Sequence, residues 1–445
     1  MHRDIEEDLI RWKHQKNPMP LLLRGARQVG KTYVVENFGD SHFNHVVSIN
    51  FELHPEMAQC FVSLEPADIL KAILLLTGQK IEPQTTLLFL DEIQECPNAI
   101  QSLRYFKEKM PNLHIIGAGS LLEFALNDVN FRMPVGRVQS LYLKPLSFKE
   151  YLVGGGNQVL REFIENITLQ ETIPEVIHTR LLKLVREYMI LGGMPAVLQK
   201  YFSEQDHGEC QNIQTALLST YRNDFGKYAK KTDHRYLKKL FEKLPGLICD
   251  DFKYTKVDAD MRSRDIKEAL YTLKNAGLIY PVYSTSASGV PLTALINEKK
   301  FKLLFLDVGL VTRAGKLEVE LLLSQDLLLI NRGKLAEQFV GQELLAYAPY
   351  FEESVVYFWS REQRNSMAEV DFVTTVDANI VPLEVKAGTT GRLKSLKLFM
   401  AEKNITIGVH ISQNALGYSY HVLSLPLYMV GEMARLMQPL LYDVV

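Results

Sequence analysis

Eight consecutive residues near the start of the chain have the types and spacing that bind a phosphate chain. They are Gly25, Ala26, Arg27, Gln28, Val29, Gly30, Lys31 and Thr32. Glycines let backbone N–H groups turn toward phosphate oxygens, and a following helix points its positive end at the same charge. Lys31 could reach the β- and γ-phosphates of ATP, and the Thr32 hydroxyl could bind Mg²⁺. A chance glycine-rich turn is the alternative, and the apolar run before the loop and the helix after it argue against that.

Two carboxylates follow a second apolar run, Leu87–Leu90, as Asp91 and Glu92. Four large apolar residues in a row predict a strand that is buried on both faces, as in a parallel sheet. Ligands bind at the carboxyl ends of such strands. Asp91 would hold Mg²⁺ through water, and Glu92 would polarise the water that attacks the γ-phosphate. A strand that ends in an acidic turn is the alternative interpretation.

A third apolar run ends at Ser120, which could sense the γ-phosphate by hydrogen bonding or could simply cap the next helix. Arg132 and Arg137 lie beyond it. Either arginine could reach into a neighbouring subunit as a finger that stabilises transition-state charge, and either could be an ordinary surface arginine.

Length and composition are those of a globular protein of about three domains. The chain has 445 residues, a net charge of −2, and four scattered cysteines whose spacing suggests neither a disulfide framework nor a zinc site. No apolar run approaches the roughly 18 residues that span a bilayer, and no signal peptide is evident. We therefore expect a cytoplasmic protein with no membrane contact, and the net charge does not indicate nucleic acid.

The middle of the chain changes its pattern after Gly154–Asn157, which is predicted to be a flexible linker. Residues 158–230 are predicted to be helical. Residues 231–312 then show the helix, helix, hairpin order of a winged-helix domain. The second of these helices carries basic residues within 262–274, as a DNA-reading helix would. They are Arg262, Arg264, Lys267 and Lys274. A protein-binding adaptor with a solvated face is the alternative.

Four charged residues in the last third could form a metal-dependent nuclease site. They are Glu337, Asp371, Glu384 and Lys386. Glu384 and Lys386 are two apart on a predicted strand and so share a face, and Asp371 lies on the neighbouring strand of a predicted hairpin. Carboxylates bind Mg²⁺ or Mn²⁺, and a lysine can hold the attacking hydroxide. The alternative is a solvated hairpin edge.

Several motifs together resemble a family of prokaryotic AAA-type ATPases with a C-terminal domain of unknown function. The N-terminal motifs are Arg24–Thr32, Leu90–Gln94, Gly119-Ser120, Gly136-Arg137 and Leu146–Tyr151. The later motifs are Gly192–Pro195, Leu306–Leu310, Glu369–Phe372 and Leu383–Lys386. The resemblance favours Arg137 over Arg132 as the finger. It also implies a restriction-endonuclease-like order of elements in the last third.

The expected fold class is α/β, with a P-loop NTPase domain, a helical and winged-helix middle, and a restriction-endonuclease-like C-terminal domain. The expected boundaries are residues 1–153, 158–230, 231–312 and 325–445. Three uses of ATP stay open: an ATPase, monomeric or homo-oligomeric, that acts on or with DNA, an ATP-gated nuclease with a second Mg²⁺ or Mn²⁺, and a nucleotide-controlled module for a protein partner.

Overall fold

The computed structural model describes residues 1–126, 136–228, 234–324, 326–327, 331, 333–361, 368–386 and 393–442. These form two compact units. The first comprises Met1–Lys144, Asn275–Leu278 and Pro349–Glu353, and the second contains the remaining described residues. None of the helices in the described ranges combines the length and apolarity that a membrane crossing requires.

The first unit alternates strands and helices. Its helices are α1 (Ile5–Lys13), α2 (Lys31–His42), α3 (Pro66–Thr77), α4 (Pro97–Lys109) and α5 (Leu122–Leu126). Its strands are β1 (Leu21–Arg24), β2 (His45–Asn50), β3 (Thr86–Asp91), β4 (His114–Ala118) and β5 (Gln139–Tyr142). The predicted strand before the phosphate loop and the predicted helix after it are both present.

All five strands form one parallel sheet in the order β2-β3-β4-β1-β5. β3 and β4 are buried along their whole length, as the continuous apolar runs predict. Because the strands run in the same direction, their carboxyl ends share one edge of the sheet. Asn50, Asp91 and the loop that follows Arg24 therefore meet at that edge. This parallel sheet with flanking helices is a P-loop NTPase fold.

The second unit begins with a largely helical segment and continues into a mixed α/β region. Its first helices are α6 (Phe148–Gly154), α7 (Gln158–Asn166), α8 (Glu175–Leu191), α9 (Pro195–Glu204), α10 (His207–Asn223), α11 (Phe225–Tyr228), α12 (His234–Leu247), α13 (Tyr254–Val257) and α14 (Ser263–Asn275). Its later helices are α15 (Val308–Gly315), α16 (Glu318–Leu323), α17 (Lys334–Ala346), α18 (Lys394–Lys403) and α19 (Met433–Tyr442).

Eight strands of the second unit form a single sheet. They are β6 (Ile279–Thr285), β7 (Ile296–Phe305), β8 (Tyr357–Ser360), β9 (Glu369–Val376), β10 (Asn379–Val385), β11 (Gly408–Ser412), β12 (Gly417–Ser419) and β13 (Val422–Pro426). Their order is β12-β13-β11-β10-β9-β8-β6-β7. The predicted helix with Glu337, the β9–β10 hairpin and the helix after Lys386 are all present.

Two expectations about the middle of the chain differ from the structure. Residues 154–157 form a hydrogen-bonded turn between α6 and α7 instead of a flexible linker, because Gly155 N–H donates to Tyr151 and Asn157 N–H to Leu152. The β6–β7 hairpin follows α12 and α14 as expected, but it is not a free-standing wing. β6 pairs in parallel with β8, and this pairing makes the hairpin part of the eight-stranded sheet.

Candidate functional site

The loop between β1 and α2 has the backbone conformation that phosphate binding requires. Gly25 has φ +149° and Gly30, at the start of α2, has φ +94°. A Cβ atom on Gly25 would lie 2.3 Å from the carbonyl oxygen of Leu143, so only glycine fits there. Gln28 also adopts a positive φ, +64°. This chain path turns the loop toward the beginning of α2, where the helix presents free N–H groups.

Lys31 lies folded against its own loop. Its ammonium group donates to the carbonyl oxygens of Gly25 at 3.0 Å and Ala26 at 2.9 Å. Burial lowers the pKa of Lys31 to about 8, although the nearby Glu92 and Asp91 oppose that shift. The lysine is thus held beside the position that a phosphate chain would take.

Asp91, at the end of β3, is held by the residues around it. Its Oδ2 accepts hydrogen bonds from the Thr32 hydroxyl at 3.1 Å and from the Asn50 side chain at 3.0 Å. Its Oδ1 accepts from the backbone N–H of Glu92 at 3.0 Å. Burial, followed by the charge of Glu92, raises the pKa of Asp91. A hydroxyl facing a carboxylate is the oxygen-rich environment that Mg²⁺ prefers, so these residues fit that ion.

Glu92 is held by two neighbours. Its Oε2 accepts from Gln94 Nε2 at 2.7 Å and from the hydroxyl and N–H of Ser120 at 3.2 and 3.3 Å. A Cβ on Gly119 would lie 1.9 Å from Gln94 Oε1, so Gly119 makes room for that side chain. Sequence reasoning missed Gln94 and Asn50. For Asn50 the available signal was a polar residue at the end of the strand beside β3.

Arg137 lies away from the loop of its own chain. It precedes β5, at the amino-terminal edge of the parallel sheet, whereas the phosphate loop follows the carboxyl end of β1. Its guanidinium donates to Glu108 at 3.2 Å, and its side chain is 48% exposed. A finger role for Arg137 could therefore act only on another subunit, and this role stays a prediction. Arg132 lies outside the described residues.

Two residues distant in sequence hold the phosphate loop from outside. Arg3 donates to the carbonyl oxygen of Val29 at 3.0 Å. Gly277, in the turn after α14, lies against Ala26: a Cβ on it would be 3.2 Å from the Cβ of Ala26 and 3.3 Å from its backbone nitrogen. The turn at 275–278 thus limits how far the loop can move.

We expect Gly277→Ala to weaken ATP binding about tenfold, equal to about 1.4 kcal/mol. The new methyl group would displace Ala26 and with it the N–H groups of the loop. Gly78→Ala is the matched control, because Gly78 has nearly the same φ (+71° against +70°) but open space around it. Titration with a fluorescent ATP analogue measures both affinities. Equal weakening in the two variants would assign the effect to backbone strain alone.

The pKa of Lys31 makes ATP binding pH-dependent. Phosphate binding needs the protonated amine, and in the free loop that form is depleted above about pH 8. We therefore expect the affinity to be steady below pH 7.5 and to fall by up to about tenfold per pH unit above pH 8. Lys31→Arg keeps its charge throughout this range and should lack the decline. A decline of the same steepness in the arginine variant would contradict this assignment.

Asp371 links the residues of the predicted nuclease site, because it interacts with Glu337 and with the end of β10 beside Glu384. Glu337 on α17 and Asp371 on β9 interact with each other, since the charge of Asp371 helps raise the pKa of Glu337 to about 8, after the larger effect of burial. Glu384 instead forms an ion pair with Lys386. Asp371 Oδ2 accepts from the N–H of Val385 at 2.8 Å. Within the described ranges no cluster of three or more potential ligands could hold a metal ion.

The basic residues predicted to contact DNA lie on the surface of α14 and just before it. Arg262, Arg264, Lys267 and Lys274 are all exposed. Arg264 forms an ion pair with Glu268 at 3.1 Å. Arg264, Lys267 and Lys274 share one face of the helix with Tyr271, whose side chain is 56% exposed.

Comparison with known families agrees with the fold. Residues 17–152 match the family model described as AAA domain. The chain therefore carries an AAA-type P-loop ATPase domain. Residues 182–321 and 332–428 match two further models, each described as a domain of unknown function, DUF8612 and DUF4143. No curated protein matches the chain.

Solved structures give more distant similarities. A Walker-type ATPase of Pyrococcus abyssi is 15% identical, with a TM-score of 0.44, over 71% of this chain and 95% of that one. The ORC2 protein of Aeropyrum pernix, in ADPNP–ADP complexes, is 12% identical, with a TM-score of 0.36 over 72% and 95%. The ORC1 protein of Aeropyrum pernix, in complex with DNA, is 10% identical, with a TM-score of 0.30 over 73% and 95%. These scores are too low to carry a functional argument.

Proposed function

We propose that this chain binds ATP with Mg²⁺ at the loop between β1 and α2 and hydrolyses it. The observation that supports this most is the hydrogen bond between Thr32 and Asp91, with Glu92 as the next residue. It places a hydroxyl, a carboxylate and a second carboxylate at one edge of the sheet, beside the phosphate loop. This is the set of groups that metal-assisted attack of water on a γ-phosphate uses.

Binding is assigned to the loop from Gly25 to Thr32. The N–H groups of the loop and the beginning of α2 face the phosphate chain. Lys31 exchanges its two carbonyl partners, Gly25 and Ala26, for oxygens of the β- and γ-phosphates. Thr32 and Asp91 would hold Mg²⁺, which would offset the charge that develops on the phosphate oxygens.

Hydrolysis is assigned to Glu92. Its carboxylate accepts a proton from a water molecule as the water oxygen bonds to the γ-phosphorus. The bond from that phosphorus to the bridging oxygen of ADP breaks, so that ADP and phosphate leave. Ser120 lies within hydrogen-bonding distance of Glu92 and is assigned to orient this carboxylate and to contact the γ-phosphate.

Release of phosphate from ATP tests the proposal. The purified full chain is incubated with ATP at increasing Mg²⁺ and, separately, with excess EDTA. We expect turnover that rises with Mg²⁺ and stops in EDTA. ATP binding without any Mg²⁺-dependent phosphate release would refute the hydrolytic role and leave a nucleotide-binding module.

A second role, contact with DNA, is favoured by the basic face of α14. Arg264, Lys267 and Lys274 could neutralise phosphates while Tyr271 stacks on a base. We expect the double variant Arg264→Glu/Lys267→Glu to bind duplex or single-stranded DNA about tenfold more weakly and with a smaller salt slope. Fluorescence anisotropy at several salt concentrations measures both quantities.

The control for the DNA experiment changes the same charge on the first unit. Lys16 and Lys71 are exposed there, so Lys16→Glu/Lys71→Glu gives the matched variant. Equal loss of DNA binding in both double variants would show only a general charge effect. No DNA binding by the unaltered chain would instead favour a protein partner for this face.

A further inference from the structure

A buried lysine lies among the acidic residues of the second unit. Lys302 on β7 forms ion pairs with Glu369 at 2.5 Å and with Glu337 at 3.6 Å. Its side chain is only 5% exposed. The charge of Asp371 acts on the same ammonium group. Two carboxylates, one on α17 and one on β9, thus pair with one cation that the chain itself supplies, and the charge of a third acts on it.

The backbone around Asp371 is arranged to bring these groups together. Tyr357 pairs with Val373 and Trp359 with Val370, so two steps along β8 correspond to three along β9. β9 therefore carries one extra residue opposite Phe358, a β-bulge that includes Asp371. Such bulges re-aim side chains. α17 lies close above this part of the sheet, because a Cβ on Gly341 would meet Leu304 at 2.5 Å and Phe372 at 3.1 Å.

The surroundings of Lys302 suit an ammonium group better than a divalent ion. The Phe358 ring, fully buried, lies 5.2 Å from the lysine nitrogen. An aromatic face attracts an ammonium group and offers no lone-pair oxygen. Mg²⁺ prefers six oxygen ligands, and this aromatic ring supplies none of them. The three carboxylates are at the same time already partly neutralised.

Glu384 and Lys386, the other two residues named above for the predicted nuclease site, form an ion pair with each other. Glu384 is 1% exposed, and one of its oxygens binds the Lys386 ammonium group. Glu337 and Glu384 each have a lysine partner within the chain, whereas the second oxygen of Glu384, Oε2, is buried without a hydrogen-bond partner among the described residues. The carboxylates beside Lys302, which are paired with its ammonium group, are the ones that do not fit the divalent ion of a nuclease.

We infer that the Lys302 ammonium group occupies the position that a divalent cation would take among Glu337, Glu369 and Asp371. These acidic residues of the second unit then serve its structure and do not hold a metal at that position. This inference does not depend on ATP hydrolysis.

Mn²⁺ binding tests this inference directly. The full chain without nucleotide is titrated with Mn²⁺, and free Mn²⁺ is followed by electron paramagnetic resonance. We expect the number of bound ions to be the same for the unaltered chain, Asp371→Asn and Glu384→Gln. Loss of one bound Mn²⁺ per chain in either variant would overturn the inference.

Removal of the ammonium group gives the converse test. We expect Lys302→Met to gain one bound Mn²⁺ per chain, and Lys302→Met/Asp371→Asn to lose it again. A folded Lys302→Met variant with an unchanged number of ions would show that the lysine does not stand in for a metal. If this variant fails to fold, the comparison with Asp371→Asn and Glu384→Gln still decides the question.

Discussion

Glu92→Gln is expected to bind ATP as tightly as the unaltered chain and to hydrolyse it 10²- to 10⁴-fold more slowly, the usual contribution of a general base. The amide keeps the size of the side chain and can still accept from Ser120. It cannot take a proton from water at neutral pH. The nucleotide-binding residues, Lys31 and Thr32, are unchanged, so binding and turnover should separate.

Two further variants serve as controls for this experiment. Glu95→Gln removes a carboxylate from the exposed neighbouring turn and should leave turnover unchanged. Lys31→Ala removes the ammonium group that faces the phosphates and should abolish binding and turnover together. Single-turnover phosphate release with saturating ATP measures the chemical step, and a fluorescent analogue measures binding. Turnover by Glu92→Gln within threefold of the unaltered chain would rule out its role as the base.

The hydrogen bonds of Glu92 indicate which of its two oxygens can accept the proton. In the described conformation Gln94 and Ser120 both donate to the same oxygen, Oε2. Because both donors engage the same oxygen, the other oxygen, Oε1, is the one assigned to accept the proton from water.

Local patterns were sufficient to predict the elements that carry the phosphate loop. The motif from Gly25 to Thr32 specifies a turn and a helix start within eight residues, and the predicted strand and the predicted helix start agree with β1 and α2. The apolar run before Asp91 likewise specifies a buried strand. These predictions succeed because each depends on residues that are neighbours in sequence.

The contacts that complete the site depend on geometry that no local pattern contains. Asn50 reaches Asp91 because β2 and β3 pair in register, residue 50 opposite residue 91. Gln94 returns to Glu92 because Glu92 has a positive φ, +47°, at the start of a short 3-10 turn. Neither the strand register nor that backbone turn could be predicted from residue types alone.

The contacts of Lys302 could not be predicted from local patterns either, because they join residues that are far apart in the sequence. A helical segment separates Lys302 from Glu337 in the sequence. Lys302 lies near the acidic residues because β6 pairs in parallel with β8. A sequence reading that assigned β6 and β7 to a separate wing placed Lys302 in a different domain. Spacing alone therefore indicated a metal site, although the counter-ion was already present in the chain.

The largest effect on stability is expected from Lys302→Met. Its removal leaves Glu337, Glu369 and Asp371 without their shared cation, and breaking a buried ion pair in this way costs about 3–5 kcal/mol. The control is Lys334→Met, because Lys334 is more exposed and pairs with Asp250 at 2.8 Å. We expect the control to cost less than about 1 kcal/mol.

The loss of stability in Lys302→Met should increase as the pH rises. Burial, more than the charge of Asp371, raises the pKa of Glu337 to about 8, so the ionised form destabilises the folded unit. That value already includes Lys302, which lowers the pKa of Glu337, so removing the lysine raises this pKa further and costs stability chiefly near and above pH 8. Lys302→Met should therefore be destabilised more at pH 8.5 than at pH 6. Adding Glu337→Gln should restore part of the stability at pH 8.5 by removing one buried charge.

Hydrogen exchange of α17 and β9 is the suitable measurement, because a chain of two compact units need not unfold in one step. Faster exchange in these two elements, with unchanged exchange in β1 and α2, would locate the loss around Lys302. Equal exchange in Lys302→Met and Lys334→Met at pH 8.5 would show that the ammonium group contributes no more than a surface ion pair. Greater loss at pH 6 than at pH 8.5 would exclude Glu337 as the carboxylate that it neutralises.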